Sequence, residues 1–148
     1  MLIGLISDTH GLLRPEALRA LEGVQLILHA GDVGGSSILE RLGQIAPVQA
    51  VAGNIDPDGW LPAAIDVELD GVRVHVSHGH ELGSPTPAKL VEHYAADLIV
   101  YGHTHRSLLR RIARTLVVNP GAAGPRRFDV KPSVALLELP RVIVTIVS

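Results

Sequence analysis

Short, uninterrupted apolar runs that alternate with helical stretches are the feature that most constrains the fold of this chain. The runs are rich in Val, Ile and Leu, and they occupy residues 2–7, 24–30, 47–52 and 97–101. Such continuity is typical of strands that are covered on both faces of a sheet. Between the runs, the sequence predicts helices at 14–22, 36–45 and 87–95. Strands that alternate with helices predict a parallel sheet.

The second half of the sequence changes from continuous to alternating apolar patterns. Residues 65–69 and 72–77 alternate around Asp70-Gly71, a strong signal for a hairpin turn. In this hairpin we expect His75 on the less buried face of its strand. Further strands are predicted at 107–112, 115–118, 133–139 and 141–147. With 148 residues, no linker and no internal repeat, the chain fits a single α/β domain over residues 1–148, in which two packed sheets are flanked by helices.

Composition and charge argue against several classes of function. The formal net charge is −2 and aromatic residues make up only 3%, so nothing indicates a nucleic-acid backbone as partner. The chain has no Cys, which excludes disulfides and thiolate metal sites. The first apolar run is too short for a signal peptide or a membrane span. We therefore expect a cytoplasmic protein that does not enter a membrane.

Polar side chains with metal-ligand chemistry follow five of the predicted strands at the point where each strand ends. The carboxyl ends of such strands share one edge of an α/β sheet, where ligands bind. A carboxylate among apolar residues destabilises the fold unless a hydrogen-bond partner or a cation compensates for its burial. Imidazole, carboxylate and amide ligands without thiols suit Mn, Fe, Zn, Co or Ni. The residues are Asp8, His10, Asp32, Asn54, His78, His80, His103 and His105.

Each of these residues has an ordinary structural explanation when it is taken alone. A single Asp after a strand is usually a turn former or a helix cap, and a single His is usually a hydrogen-bonded structural residue. Five strand ends that all carry ligand-type side chains are improbable in a purely structural protein, so the joint pattern predicts a metal site. The structural explanation is kept for His75 and His93. His29 could support the ligands, and His80 stays open between support of a ligand, substrate contact and structure.

The ordered set of motifs resembles the calcineurin-like metallophosphoesterase superfamily, and most closely its small bacterial and archaeal phosphodiesterases. The resemblance extends from Asp8 to about Arg127 and implies a two-sheet α/β sandwich of the αββα type, with the metal site at the C-terminal strand ends. It also implies hydrolysis of a small phosphodiester or other phosphate ester. The motifs are Asp8-x-His10, Gly31-Asp32, Gly53-Asn54, Ser77-His78-Gly79-His80, Gly102-His103-x-His105 and Asn119-Pro120-Gly121.

The same resemblance assigns roles to individual residues. It implies two divalent transition-metal ions, Mn first, with Ni, Fe, Zn or Co as alternatives, that activate a bridging hydroxide. Asn54 and His103 are further expected to act in catalysis, and His80 is a weaker catalytic candidate. The resemblance favours His78 over His80 as a ligand. The first ion would be held by Asp8, His10 and His105, the second by Asn54, His78 and His103, and Asp32 would bridge the two.

One position departs from the family pattern. Many members have a His directly after this Asn, thought to act as a general acid or to steady the transition state, whereas this chain has Ile55 followed by Asp56. An Ile cannot donate a proton. A good leaving group, His80, Asp56 or a metal-bound water would then have to compensate, which favours activated diesters and aryl phosphates.

Two alternatives belong to other classes of function. Some proteins that resemble this family act as protein-interaction scaffolds, but a scaffold has no need for all seven ligands. A metal-dependent nuclease would require a basic groove. Only a set of arginines could form one, and these are more simply exposed positions or a contact in a homo-oligomer: Arg106, Arg110, Arg111, Arg114, Arg126 and Arg127.

Overall fold

Two five-stranded sheets form the centre of the structure, a computed structural model that describes residues 1–127 and 129–148. Within these described residues there are also three α-helices and one short 3₁₀ helix, His80–Leu82. The helices are α1 (Pro15–Ala20), α2 (Ser36–Gly43) and α3 (Pro87–His93). The strands are β1 (Leu2–Ile6), β2 (Leu26–His29), β3 (Val48–Ala50), β4 (Ala64–Leu69), β5 (Val72–Ser77), β6 (Leu98–Val100), β7 (Leu108–Ile112), β8 (Thr115–Asn119), β9 (Val134–Glu138) and β10 (Ile143–Val147).

Each sheet has three parallel strands in addition to antiparallel ones. The first sheet has the order β10-β9-β1-β2-β3, in which β1, β2 and β3 are parallel. The second has the order β4-β5-β6-β8-β7, in which β5, β6 and β8 are parallel. The predicted hairpin is present, because β4 and β5 pair with each other in antiparallel register. Each parallel set therefore brings its carboxyl ends to one edge of its sheet.

The layers are helix, sheet, sheet, helix. Alternate residues of a strand point to opposite faces, so Leu28 lies in the core between the sheets while Ile27 packs towards α1 and α2. In the same way Val100 faces the other sheet, and Ile99 packs with Leu90 of α3. The predicted α/β sandwich of two packed sheets with flanking helices is confirmed. None of the helices in the described ranges has the length and apolar character needed to cross a membrane.

The expectation for His75 was wrong. Its side chain is buried, because the ring of Tyr94, just past the end of α3, stacks on it with a centroid distance of 3.8 Å. Two hydrogen bonds offset the cost of burying the imidazole: Nδ1 lies 2.8 Å from Asp66 and Nε2 lies 3.0 Å from the Ser77 hydroxyl. The alternating pattern of β5 gave the correct face, but it could not show that this face is covered.

Candidate metal centre

The strand ends of both sheets meet at one place. The Asp8 N–H donates to the Gly31 carbonyl at 2.9 Å, which joins the ends of β1 and β2. The Gly102 N–H donates to the His78 carbonyl at 3.0 Å, which joins the ends of β5 and β6. The two sheets are linked by His78, whose Nδ1 lies 2.8 Å from the Ala30 carbonyl. Loops that are far apart in sequence are thus held against each other.

Two aspartates lie among three imidazoles at the centre of this edge. The Asp8 Oδ1 atom lies 3.4 Å from His105 Nε2, and the Asp32 Oδ2 atom lies 3.3 Å from His78 Nε2. His10 Nε2 lies between the carboxylates, 3.8 Å from Asp8 and 3.4 Å from Asp32. These atoms form two tight groups, Asp8-His10-His105 and Asp8-Asp32-His78, each within 4.8 Å. Asp8 belongs to both groups, and Asp32 Oδ2 lies near a histidine of each, 3.4 Å from His10 Nε2 and 3.3 Å from His78 Nε2.

Several buried atoms in this cluster have no hydrogen-bond partner. Among the described residues, Asp8 Oδ1, His10 Nε2 and His78 Nε2 are buried and unpaired, as are His80 Nδ1 and His105 Nδ1. An unpaired buried polar atom destabilises the fold by about 1–3 kcal/mol. A divalent cation would accept lone pairs from carboxylate and imidazole together and would remove most of this cost. The donor set therefore fits a metal centre.

The two carboxylates are oriented in the same manner. In Asp8, Oδ2 accepts from the Ser7 hydroxyl at 2.6 Å and from the His103 N–H at 3.1 Å, which leaves Oδ1 for the cluster. In Asp32, Oδ1 accepts from the Ile55 N–H at 3.0 Å, which leaves Oδ2 for the cluster. Each carboxylate is thus fixed by one oxygen and presents the other, as is typical of oriented metal ligands.

Electrostatics favour ionised carboxylates. Burial opposes ionisation of Asp8, but the side chains of His10 and His105 hold the pKa of this carboxyl well below its usual range. Burial likewise opposes ionisation of Asp32, yet the pKa of its carboxyl is lowered by His78 and by the Ile55 N–H. Both carboxylates are therefore ionised at neutral pH and can attract a cation.

The pKa values of the two histidines that follow β5 and β6 move in opposite directions. Burial lowers the pKa of His78, but Asp32 and Asp8 outweigh it and raise the pKa overall, so this ring competes with a cation for the carboxylates. Burial and the neighbouring His78 both lower the pKa of His103. His103 is therefore neutral at neutral pH, with a free lone pair to offer a metal ion.

The backbone is strained at most of the predicted ligands. Positive φ angles are found at Asp8 (54°), His10 (47°), Asp32 (53°), His103 (71°) and His105 (63°). Non-glycine residues rarely adopt this conformation, and it costs about 1–3 kcal/mol at each position. Strain of this kind concentrates at functional sites, where the surrounding structure enforces it.

Three predicted site residues lie outside the two tight groups. The His103 and His80 rings have centroids 5.2 Å from that of His78, so both flank the second group. Asn54 is exposed, and its loop touches Asp32, since the next residue, Ile55, donates its N–H to the Asp32 carboxylate. All eight predicted residues are thus brought to the same edge.

Supporting residues complete the site. His29 is fully buried: its Nδ1 accepts from the Gly31 N–H at 3.1 Å, so the other nitrogen donates to the Thr9 hydroxyl at 3.0 Å. Burial lowers the pKa of His29 to about 4, so the ring is neutral and holds the loop of Asp8 to that of Asp32. This agrees with the expected supporting role.

Asn119 supports the opposite side of the site. Its amide donates to the Gly102 carbonyl at 3.1 Å and to the Thr104 hydroxyl at 3.0 Å, while its oxygen accepts from the Gly121 N–H at 2.9 Å. These bonds hold the loop that carries His103 and His105 in its strained conformation. No role for Asn119 was predicted from the sequence beyond its part in the Asn-Pro-Gly motif after a strand.

Asp56 does not take over the role of the histidine that the family pattern has at the position of Ile55. It is buried, and both of its oxygens accept hydrogen bonds from backbone N–H groups, of Val33, Gly34 and Gly53. It therefore holds two loops together and does not face a substrate. Of the residues suggested to compensate for Ile55, His80 is the one that remains.

The model of the calcineurin-like phosphoesterase superfamily domain matches residues 1–141, and the chain belongs to this family. The resemblance predicted from the motifs is confirmed.

Individual relatives and solved structures are similar to this chain in sequence and in fold. A probable metallophosphoesterase from Methanothermobacter thermautotrophicus is 37% identical over 94% of this chain and 86% of its own length. A phosphodiesterase from Methanocaldococcus jannaschii is 29% identical, over 82% of this chain and 83% of its own. Wild-type Vps29 from Entamoeba histolytica, crystallised with Zn²⁺, has a TM-score of 0.82 and 25% identity, with 99% of this chain and 90% of that chain covered.

Proposed function

We propose that this protein is a metal-dependent phosphodiesterase that hydrolyses small phosphate esters in the cytoplasm. The observation that carries the proposal is the convergence of unpaired, buried atoms of Asp8, His10 and His78 at one edge of the sandwich. Relatives that are named metallophosphoesterases and phosphodiesterases support the reaction class. A protein-interaction scaffold does not explain why such costly atoms are gathered at one place.

The ligands would divide between two divalent ions, with Mn as the first choice and Ni, Fe, Zn or Co as alternatives. Asp8, His10 and His105 would hold one ion and Asn54, His78 and His103 the other, with Asp32 shared between them. When bound, the ions supply Lewis-acid polarisation of the phosphate and a water of lowered pKa. The seven residues use nitrogen and oxygen donors only, which suits these metals.

The residues of the chain itself bind and orient the substrate. The Asn54 amide can donate to an oxygen of the phosphate, because this residue is exposed on the loop that contacts Asp32. His80 flanks the second ligand group, and its Nδ1 is buried without a partner in the described structure. Its ring borders this group, so His80 is the candidate residue for protonating the leaving group. Ile55 is exposed and offers no proton.

Without a histidine at position 55, departure of the leaving group should depend on its own stability. Rates should then fall steeply as the pKa of the leaving group rises, with aryl diesters far ahead of alkyl esters. Ile55→His should help poor leaving groups more than good ones, since a positioned acid contributes about 10²–10⁴-fold. The measurement is a leaving-group series on both proteins with Mn supplied.

A flat dependence in the unmodified protein would contradict this account of Ile55. His80→Ala then becomes the decisive variant. A series that is flat in the parent protein and steep in His80→Ala would assign the acid to His80. His93→Ala is the matched control, because His93 is an exposed histidine at the end of α3.

Neither alternative has a specific observation in its favour. A scaffold would not require strained ligands and unpaired buried atoms at one edge. A nuclease would require a basic groove, and the formal net charge of the chain is −2. Self-association through the exposed arginines of β7, Arg110 and Arg111, stays a prediction.

A further inference from the structure

Asp56 joins the two loops that follow β2 and β3. Its Oδ2 atom accepts from the Gly53 N–H at 2.8 Å and from the Val33 N–H at 3.1 Å. Its Oδ1 atom accepts from the Gly34 N–H at 3.1 Å. Gly53 directly precedes Asn54, while Val33 and Gly34 directly follow Asp32. One carboxylate thus holds the peptide groups beside two predicted metal ligands.

A hydrogen bond also runs in the opposite direction between the two loops. The Ile55 N–H donates to Asp32 Oδ1, so the carboxylate of each loop accepts from the backbone of the other. Asp32 has a positive φ of 53°, and a strained conformation persists only where its surroundings enforce it. The bonds from Val33 and Gly34 to Asp56 fix the chain directly after this strained residue.

Because Asp56 is buried, its carboxylate depends on these hydrogen bonds to offset the loss of solvation. Only 8% of the residue is exposed, and a buried carboxylate is costly unless several donors compensate it. Charge-assisted bonds from N–H groups to a carboxylate are about twice as strong as neutral ones. A fold that needed only a turn at this place would not require a buried charge.

We propose that Asp56 is a positioning residue that sets the affinity of the metal centre by fixing Asp32 and Asn54 relative to each other. The inference rests on the proposed function, since it assumes that Asp32 and Asn54 bind metal. Asp56 is not itself one of the proposed ligands, and both of its oxygens accept from backbone N–H groups. Its effect should reach both ions, because Asp32 is shared between them.

The test is Asp56→Asn, which keeps the shape of the side chain but removes its charge and one acceptor. An amide oxygen can still accept from Gly53 and Val33, but the amide nitrogen then faces the Gly34 N–H, which loses its acceptor. Residues that support metal ligands typically change metal affinity by about 10–100-fold. We expect the dissociation constant for Mn, measured by calorimetry on metal-stripped protein, to rise by about this factor.

Two further measurements separate positioning from other roles. At saturating Mn, kcat of Asp56→Asn should return to within a few-fold of the parent value, because the chemical groups are intact. In metal-stripped protein, amide hydrogen exchange at Gly34 should be faster than in the parent. Asp97→Asn is the matched control, because Asp97 accepts the Arg73 N–H at 2.8 Å, a contact that joins the starts of β5 and β6. It should leave the affinity for Mn unchanged.

An unchanged dissociation constant for Mn with a lower melting temperature would overturn the proposal and leave Asp56 a purely structural residue. A large loss of kcat at saturating Mn would overturn it as well, in favour of a direct chemical role. If Asp56→Asn does not fold, Asp56→Glu keeps the charge and lengthens the side chain by one methylene, and it should also weaken Mn binding; an unchanged affinity would again overturn the proposal. Absence of metal binding by the parent protein would instead refute the proposed function.

Discussion

Asp32→Asn should lower the hydrolysis of an aryl diester by more than the roughly 100-fold that loss of a ligand-supporting residue causes. Asp32 Oδ2 lies within 3.4 Å of both His10 and His78, and Oδ1 accepts from the Ile55 N–H. An asparagine has one acceptor oxygen for these two tasks. If this oxygen accepts from Ile55, the amide nitrogen faces the cluster and repels a cation. The measurement is kcat/KM with Mn supplied in excess.

The matched control for this substitution is Asp58→Asn. Asp58 is exposed in the neighbouring turn, so the same chemical change is made close to the site without altering a ligand. His75 would be a poor control, because it is buried and hydrogen-bonded to Asp66 and Ser77. Equal activity of Asp32→Asn and Asp58→Asn would show that Asp32 is not a shared ligand.

Gly53→Ala should reduce activity by about 100-fold, the loss expected from a displacement of about 1 Å in a catalytic group. A Cβ atom at Gly53 would overlap both the backbone nitrogen and the carboxylate of Asp32. Backbone atoms cannot rotate away, so the loops of Asp32 and Asn54 would have to separate. The measurements are kcat/KM, affinity for Mn, and melting temperature, with a loss of stability of about 1–3 kcal/mol expected from overpacking.

Gly43→Ala is the control for this change. Gly43 ends α2, and a Cβ atom there would meet nothing within 4 Å. Because alanine is a better helix former than glycine, this variant should be as stable as the parent or up to about 1 kcal/mol more stable. Its activity should be unchanged. Full activity in Gly53→Ala would mean that the close approach of the two loops is not required.

The strands could be predicted because burial on both faces leaves a continuous apolar run. β2 illustrates this: Leu28 faces the other sheet and Ile27 faces the helices, so the strand is apolar until His29 at its end. The spatial order of the strands could not be derived from such runs. The pairing of β9 with β1 joins residues more than 100 positions apart, and no local pattern records it.

The convergence of the polar residues could also be predicted, because the ends of parallel strands share an edge. The residues that hold these polar residues in position could not be predicted. Asp56 and Asn119 form hydrogen bonds to backbone groups of distant segments. Because every part of the chain carries backbone groups, the sequence does not indicate which of them such a side chain will bind. The left-handed conformation of Asp8 and His10 was equally hidden, because no side chain there requires it.

The most direct measurement is a titration of metal-stripped protein with Mn, in which hydrolysis of a bis-aryl phosphate is followed at each addition. We expect no hydrolysis before metal is added, and a rise that reaches its plateau at about two equivalents of Mn per chain, the number of a two-metal site. Hydrolysis that persists in the stripped protein, or none after Mn, Ni, Fe, Zn and Co have each been supplied, would contradict it.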